Sequence, residues 1–590
     1  MLTAAWLGAS LLFTACSGQK EPNPPPKAGN QTTTPLPNGE KPAPPVALSV
    51  DKNQTPPPDS AVTPVDKTAS NGDAAKGPFS KGNPLRAVDD PPPAGIAVTE
   101  APAQPVPPAA PAKDGLYRDW PAPQVALVLS GEQEGYLEPC GCAGFENMKG
   151  GLTRRHECVK ELLAKGWPVV GLDAGGQLNL RRHGKEAELQ FQTTVDSLKA
   201  MGYQAIGFGT SDLLLPPEML LSATAAVKNP KDPSKLDTPF VSANVGIFGF
   251  DDNRLPTYRV IEAGGLKIGV TTVLGEKEQA EVKKIRGNNQ GEIEGIEFLS
   301  PTDALKKVLP KLQEKKCDRL ILLVYASAAD ASDLAKAFPE FQIVVSADSA
   351  NGAEPPAEAG AVSGTNVPLI EVGHKGSHVV VVGLYDDAKT PIRYQRVPMD
   401  NRFKESPEMI VLKAEMQSQL KILGWEGLEL KPQPQPTGRK FAGSDECATC
   451  HTQADAVFQK TPHAHAFATL EKLNPPRIHD PECVSCHVTG WNFQGFYPYE
   501  SGFGSHEKTP KLENNGCENC HGPGKEHADA ETNGNAPPAK LNALRAQLRL
   551  PMERDKNKEN CAQCHDGENS PKFDKEFDAY WEKIFHKGKN

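Results

Sequence analysis

The sequence predicts two folded parts of different kinds: an α/β domain over residues 115–400 and a mainly α, irregular domain over 439–590. Three observations carry this. Between about residues 116 and 397, short apolar runs alternate with amphipathic stretches of helical length, the pattern of buried strands covered by helices. After Phe441 the strand pattern stops, and the chain turns to short segments dense in Cys and His. Ahead of both, residues 17–114 are rich in Pro, Ala, Asn, Thr and Lys. They have too little apolar surface to offset the entropy of ordering the chain, which predicts a disordered tether.

From the N-terminus, Met1 to Ala15 is short and apolar and stops at Cys16. Residues 1–16 resemble a bacterial lipoprotein signal with a lipobox Phe13-Thr14-Ala15-Cys16, in which Cys16 is lipidated; Phe13 replaces the usual Leu, and no Lys or Arg precedes the run. No later apolar run reaches eighteen residues, so the expected membrane link is a lipid anchor only. This places the chain in the bacterial cell envelope, exported to the periplasm or outer membrane. A net charge of −10 argues against nucleic acid as a partner.

In the α/β part, strands are expected at 125–131, 168–175, 204–209, 266–275, 319–327, 341–347 and 378–384. Helices are expected at 152–166, 188–202 and 300–316, the last with Ser300 as N-cap and lysines in its final turn. Residues 401–438 join the domains: a linker helix over 406–424, ended by Gly424, and then the stiff Pro-rich stretch 431–438.

The second domain holds four Cys-x-x-Cys-His motifs: Cys447/Cys450/His451, Cys483/Cys486/His487, Cys517/Cys520/His521 and Cys561/Cys564/His565. Two thiols at this spacing can each bond one vinyl group of a porphyrin, and the adjacent imidazole reaches the iron. A zinc ribbon also uses Cys-x-x-Cys pairs, but here each pair carries its own His, and the chain is exported, as covalent haem attachment requires. Four c-type haems are therefore expected, close together in about 150 residues, with the macrocycles serving as much of the core.

The stretches Thr461–Leu470, Asp480–Gly490, Gly516–His527 and Tyr580–His586 resemble the tetrahaem cytochrome c-554 family. The resemblance implies bis-histidine ligation for most haems, with one iron lacking a distal protein ligand. The distal candidates are His463, His527 and His586, with a fourth from His506, His465 or His479.

The segments Ser130–Leu137, Gly150–Arg155, Gly171–Gly175, Gly202–Gly209, Val241–Val245 and Gly265–Val270 resemble the metal-dependent 5′-nucleotidase, or calcineurin-like phosphoesterase, family. That implies an αββα sandwich. The family's metal ligands are missing: the first pair reads Glu132-Gln-Glu134, the bridging acid is Gly176, and the Asn-His pair is Thr210-Ser211. The lone His is Tyr325, and the last motif reads Asp348-Ser-Ala350. Without a bridging carboxylate a two-metal mechanism has no clamp. Glu132, Glu134, Asp212 and Asp348 could hold one hard cation, but are expected to be solvated surface acids.

In the altered loop stand Cys140 and Cys142, with Cys158 a little downstream. These three are candidates for a redox dithiol, a metal thiolate or a sulfur-accepting site, and equally for a structural disulfide; Arg154 and Arg155 would supply an electropositive setting. Cys317 is expected to be buried and apolar.

The expected function is electron transfer with redox proteins of the cell envelope, the α/β domain binding a partner or substrate. The alternatives are an oxidoreductase acting on a small nitrogen or sulfur compound, at an open haem iron or the Cys140-Gly-Cys142 site, and a residual phosphohydrolase.

Overall fold

The computed structural model describes residues 116–586, apart from 139–147, 180, 183, 226, 230–231, 288–290, 348–353, 567–568 and 571. Cys16, the Pro-rich segment, Cys140, Cys142 and Asp348 lie outside the described residues. All the described residues belong to one compact unit, Val106–Asn590.

Two mixed sheets form the α/β part. In the first, Val125–Ser130, Val169–Asp173 and Tyr203–Ile206 run parallel, joined by the helices Leu152–Ala164 and Gly184–Ala200. On the other side of Val125–Ser130, His378–Leu384 and then Ile392–Pro398 add antiparallel. The second sheet is ordered Gly360–Ala361, Pro368–Glu371, Ile343–Ala347, Arg319–Tyr325, Leu266–Leu274, Arg259–Ala263; its four inner strands are parallel.

Alternation within one strand shows how the layers stack. Leu320, Leu322 and Val324 join a cluster with Leu305, Val308 and Leu312 of helix Pro301–Glu314 and with Ala331 and Ala335 of helix Ala328–Ala337. Ile321, Leu323 and Tyr325 instead join the cluster that contains Leu127 and Leu129 of the first sheet. Successive side chains of a strand point to opposite faces, so the second sheet has helices on one face and the first sheet on the other. Helices Leu152–Ala164 and Gly184–Ala200 contribute Leu162, Phe191 and Leu198 to that same central cluster. The layering is the αββα sandwich of the metallophosphoesterase fold. Ser300 caps its helix as expected, accepting from Asp303 N at 3.1 Å.

The linker helix, Pro407–Gly427, is capped by Ser406 and runs past Gly424, where the backbone kinks at φ 57°. Glycine takes that conformation without steric penalty, so the helix bends there rather than ending. It lies against the first sheet's helices, placing Met409, Met416 and Leu420 in the central cluster. Just past the kink, Trp425 packs on the clusters of both domains, edge-on to Trp491 (5.1 Å between centroids), and donates to Gly504 O.

The C-terminal domain is made of short helices with one small hairpin, Trp491–Asn492 with Tyr497–Pro498. Its apolar cluster is small: Phe441, Phe467, Leu470, Val484, Val488, Trp491, Phe503 and Leu512. Among the described residues no helix is long and apolar enough to cross a membrane.

Candidate haem centres and the altered phosphoesterase site

The motif helices are only five to seven residues long, the longest being Pro481–His487, whose N-cap Asp480 accepts from Glu482 N at 3.2 Å. So short a helix has little stability of its own. What fixes its His is a second bond. His487 Nδ1 lies 2.6 Å from Ala466 O, and His521 Nδ1 lies 2.7 Å from Leu548 O. A carbonyl only accepts, so Nδ1 carries the proton and Nε2 keeps its lone pair for a metal. His565 Nδ1 makes a comparable contact with Ser570 Oγ at 2.7 Å.

Three proximal histidines face a second histidine ring. Ring centroids are 6.4 Å apart for His451 and His527, 6.0 Å for His521 and His586, and 5.9 Å for His565 and His463. That spacing admits one ion bonded to a nitrogen of each ring, at ~2 Å per bond. Burial pushes His463, His521, His527 and His565 below the ordinary imidazole value, His565 to about 4. Neutral rings are what a metal requires. The donor set fits iron of a c-type haem at these three places, with the motif cysteines as the points of attachment. His506 is placed otherwise: its side chain is 64% exposed and its Nδ1 pairs with Glu513. Among the described residues no group of three or more His, Cys, Asp or Glu is gathered as a metal site of the zinc kind.

The cysteines also order the motifs in space. Cys447 and Cys517 lie close enough to interact, as do Cys486 and Cys564, and Cys520 and Cys561. The motifs therefore follow one another in the order first, third, fourth, second.

In the α/β part, the position of the bridging metal ligand is filled. A Cβ on Gly176 would meet Tyr325 Cε2 at 2.9 Å and Glu132 Cα at 3.0 Å; one on Gly209 would meet Tyr325 Cε2 at 2.6 Å. The Tyr325 ring thus packs where the backbone carries no side chain. Contrary to the expectation of solvated acids, Glu132 and Asp212 are buried. Asp212 accepts from four backbone amides: Gly176 at 2.9 Å, Gln177 at 2.7 Å, Leu178 at 3.1 Å and Gly209 at 2.8 Å. Burial pushes its carboxyl up to about 7 even though those amides favour the charged form. It ties two loops together rather than presenting itself to a cation.

The arginines also depart from expectation. Arg155 is fully buried, 4.0 Å from Asp173, which accepts from Ser130 Oγ at 2.6 Å. Arg154 is buried too and donates to Met148 O. Neither gives an exposed positive setting. Cys158 is fully buried against the Tyr117 hydroxyl at 3.5 Å, and burial pushes its thiol up to about 12. A reactive thiolate needs the opposite surroundings. Cys317 sits half-buried at the edge of the second cluster.

Fold and motifs together define a class: a segment with c-type haem motifs joined to an α/β domain of two stacked sheets. Residues 446–522 match the family model described as "Cytochrome c554 and c-prime", which takes in the first three motifs. The curated relative is cytochrome c-554 of Nitrosomonas europaea, 35% identical over 98 residues, which are 14% of this chain and 39% of that protein. The chain thus spans well under half the length of this relative. The match supports covalently bound haem in this segment. Solved structures similar to the α/β part include Thermus thermophilus sulfate thiohydrolase SoxB (12% identity, 51% of this chain and 62% of that one, TM-score 0.40). Others are a 5′-nucleotidase precursor, also from Thermus thermophilus (18%, 51% and 59%, 0.39), and the calcineurin-like phosphoesterase YfkN from Bacillus subtilis (13%, 52% and 98%, 0.39).

Proposed function

We propose that this chain is a cell-envelope electron-transfer protein with four covalently bound c-type haems, tethered by lipid at Cys16 and exchanging electrons with redox proteins of the envelope. The observation that supports it best is the three facing histidine pairs at 5.9–6.4 Å. His451, His487, His521 and His565 would hold the irons on the proximal side, and His527, His586 and His463 would complete three of them. When bound, haem supplies a reversible one-electron carrier. The chain orients the imidazoles, burial favours the neutral form of His463, His521, His527 and His565, and the four motifs would hold their haems in the order first, third, fourth, second. The α/β domain acts as a binding platform without phosphohydrolase chemistry, because Tyr325 and the Asp212-bound loops occupy the place of the metals.

The test is a mass and spectral measurement on exported protein. Four haems per chain are expected. His463→Ala, His527→Ala and His586→Ala should each turn one low-spin haem high-spin, while His506→Ala leaves the spectrum unchanged. Fewer than four haems, or a spectrum indifferent to all three substitutions, overturns the reading. Carbon monoxide binding to the reduced wild type reads out whether any iron lacks a sixth ligand. Hydrolysis of a generic phosphate ester with Mn²⁺, lost in Glu132→Ala/Glu134→Ala, would reinstate the phosphohydrolase.

A further inference from the structure

The two domains meet through charged groups most of which are out of water, Glu482 at 43% exposure being the exception around Arg182. Arg182, from the loop before helix Gly184–Ala200, meets Glu186 of that helix and Glu482 of the C-terminal domain, and lies 3.9 Å from Asp480. The side chains of Arg182, Glu186 and Asp480 are 3%, 2% and 7% exposed. Beside them, Lys413 of the linker helix and Arg477 both meet Glu138, which leads into the loop of Cys140 and Cys142. Gln417 donates to Asp480 Oδ2 at 2.8 Å.

Two features of this junction point to the same motif. Asp480 caps the helix that carries Cys483, Cys486 and His487, and Glu482 directly precedes Cys483. The guanidinium therefore grips the second motif's helix at its N-terminus. Moreover, the charges around Arg182 do not balance: Glu186, Asp480 and Glu482 share it, while Lys413 and Arg477 are committed to Glu138.

We propose that Arg182 is a positioning residue for the second Cys-x-x-Cys-His motif, and that the cluster it anchors sets the reduction potential there and couples it to pH through Glu186. The inference rests on the reading above that a haem is attached at Cys483 and Cys486. A buried guanidinium stays charged, and charges out of water act on one another far more strongly than on the surface. The groups facing Glu186 are Arg182 from the preceding loop and Asp480 and Glu482 from the cytochrome side; on the linker helix packed alongside, Gln417 donates to Asp480 and Lys413 meets Glu138. Burial, with Asp480 and Glu482 beside it, pushes the Glu186 carboxyl up to about 7 against the lowering pull of Arg182. One electron delivered by a one-electron reductant adds negative charge nearby. The carboxylate then binds one proton from water and forms an O–H bond; oxidation returns both. The first and fourth motifs differ, since Thr449, Cys450, Ala562 and Gln563 are exposed and solvent screens charges there.

The experiment is a spectroelectrochemical titration of the full-length holoprotein, with dithionite as reductant, at pH 6 and pH 8. In the wild type one of four midpoints should fall as pH rises, by up to tenfold in the redox equilibrium per pH unit. Glu186→Gln should abolish that dependence and leave the other three midpoints in place. Arg182→Gln should lower the same midpoint, because buried carboxylates left without their cation favour the oxidised iron, and Arg182→Lys should restore part of it. Persistence of the pH dependence in Glu186→Gln, or equal shifts of all four haems, overturns the proposal. If Arg182→Gln fails to fold, Glu186→Gln decides alone. A haem count below four counts against the earlier reading; four haems with pH-independent potentials count against this one.

Discussion

The two domains solve the same problem, filling an interior, with opposite materials. In the α/β part the interior is protein throughout: two large apolar clusters interleave along the strand Arg319–Tyr325, and Tyr325 packs against the backbone of Gly176 and Gly209. In the C-terminal part, eight buried residues form the apolar cluster, and imidazole rings stand in facing pairs about 6 Å apart. The first region is complete as a polypeptide. The second has the donors and the spacing for prosthetic groups that finish its core. The difference is one of filling: in the α/β part a ring and hydrogen-bonded backbone close the space beside Gly176 and Gly209, and the C-terminal part keeps its histidine rings apart.

The largest effect that sharpens this comparison is removal of haem. Produced in cells unable to attach it, the chain should keep residues 116–430 resistant to limited proteolysis and lose the fold of 439–590. A protease-resistant apo C-terminal domain would sink the claim that the haems are its core. Next in size is Asp212→Ala, which strands four buried backbone amides. Denaturant unfolding should show a loss of about 3–5 kcal/mol, with haem spectra unchanged. The smallest effect is on pH. Asp212 and Glu186 have folded-state carboxyls raised to about 7 from ordinary values of 3.8 and 4.5. A raised carboxyl favours the folded state below its unfolded value, and that contribution is lost as pH rises towards 7. The thermal stability of the α/β part should therefore fall between about pH 4 and 7, and Asp212→Asn should flatten the slope.

The strands that the sequence marks are those buried on both faces. His378–Leu384 reads as four valines in a row and is fully buried in the structure. Ile392–Pro398, a half-exposed edge strand that alternates with Arg and Gln, was not legible, nor was Arg259–Ala263, the edge of the second sheet. Edge strands take their place from a neighbour's hydrogen bonds more than from their own composition. The same reason explains Gly424. Alone it reads as a stop, yet contacts beyond it on Trp425 hold a further turn in place.

By itself, the sequence determined the haem chemistry. Cys-x-x-Cys-His is a local device whose spacing is covalent, so it does not depend on the fold around it. It also marked buried strands and covering helices in the α/β part, because apolar period reports burial. Only the tertiary structure decided which histidine faces which, since the partners in His521/His586, His451/His527 and His463/His565 lie far apart along the chain. It alone decided that Asp212 serves two loops, that Cys158 is sealed in the core, and that Arg182 reaches the second motif across 300 residues of chain. Those are matters of burial and long-range contact, and a linear pattern carries no record of either.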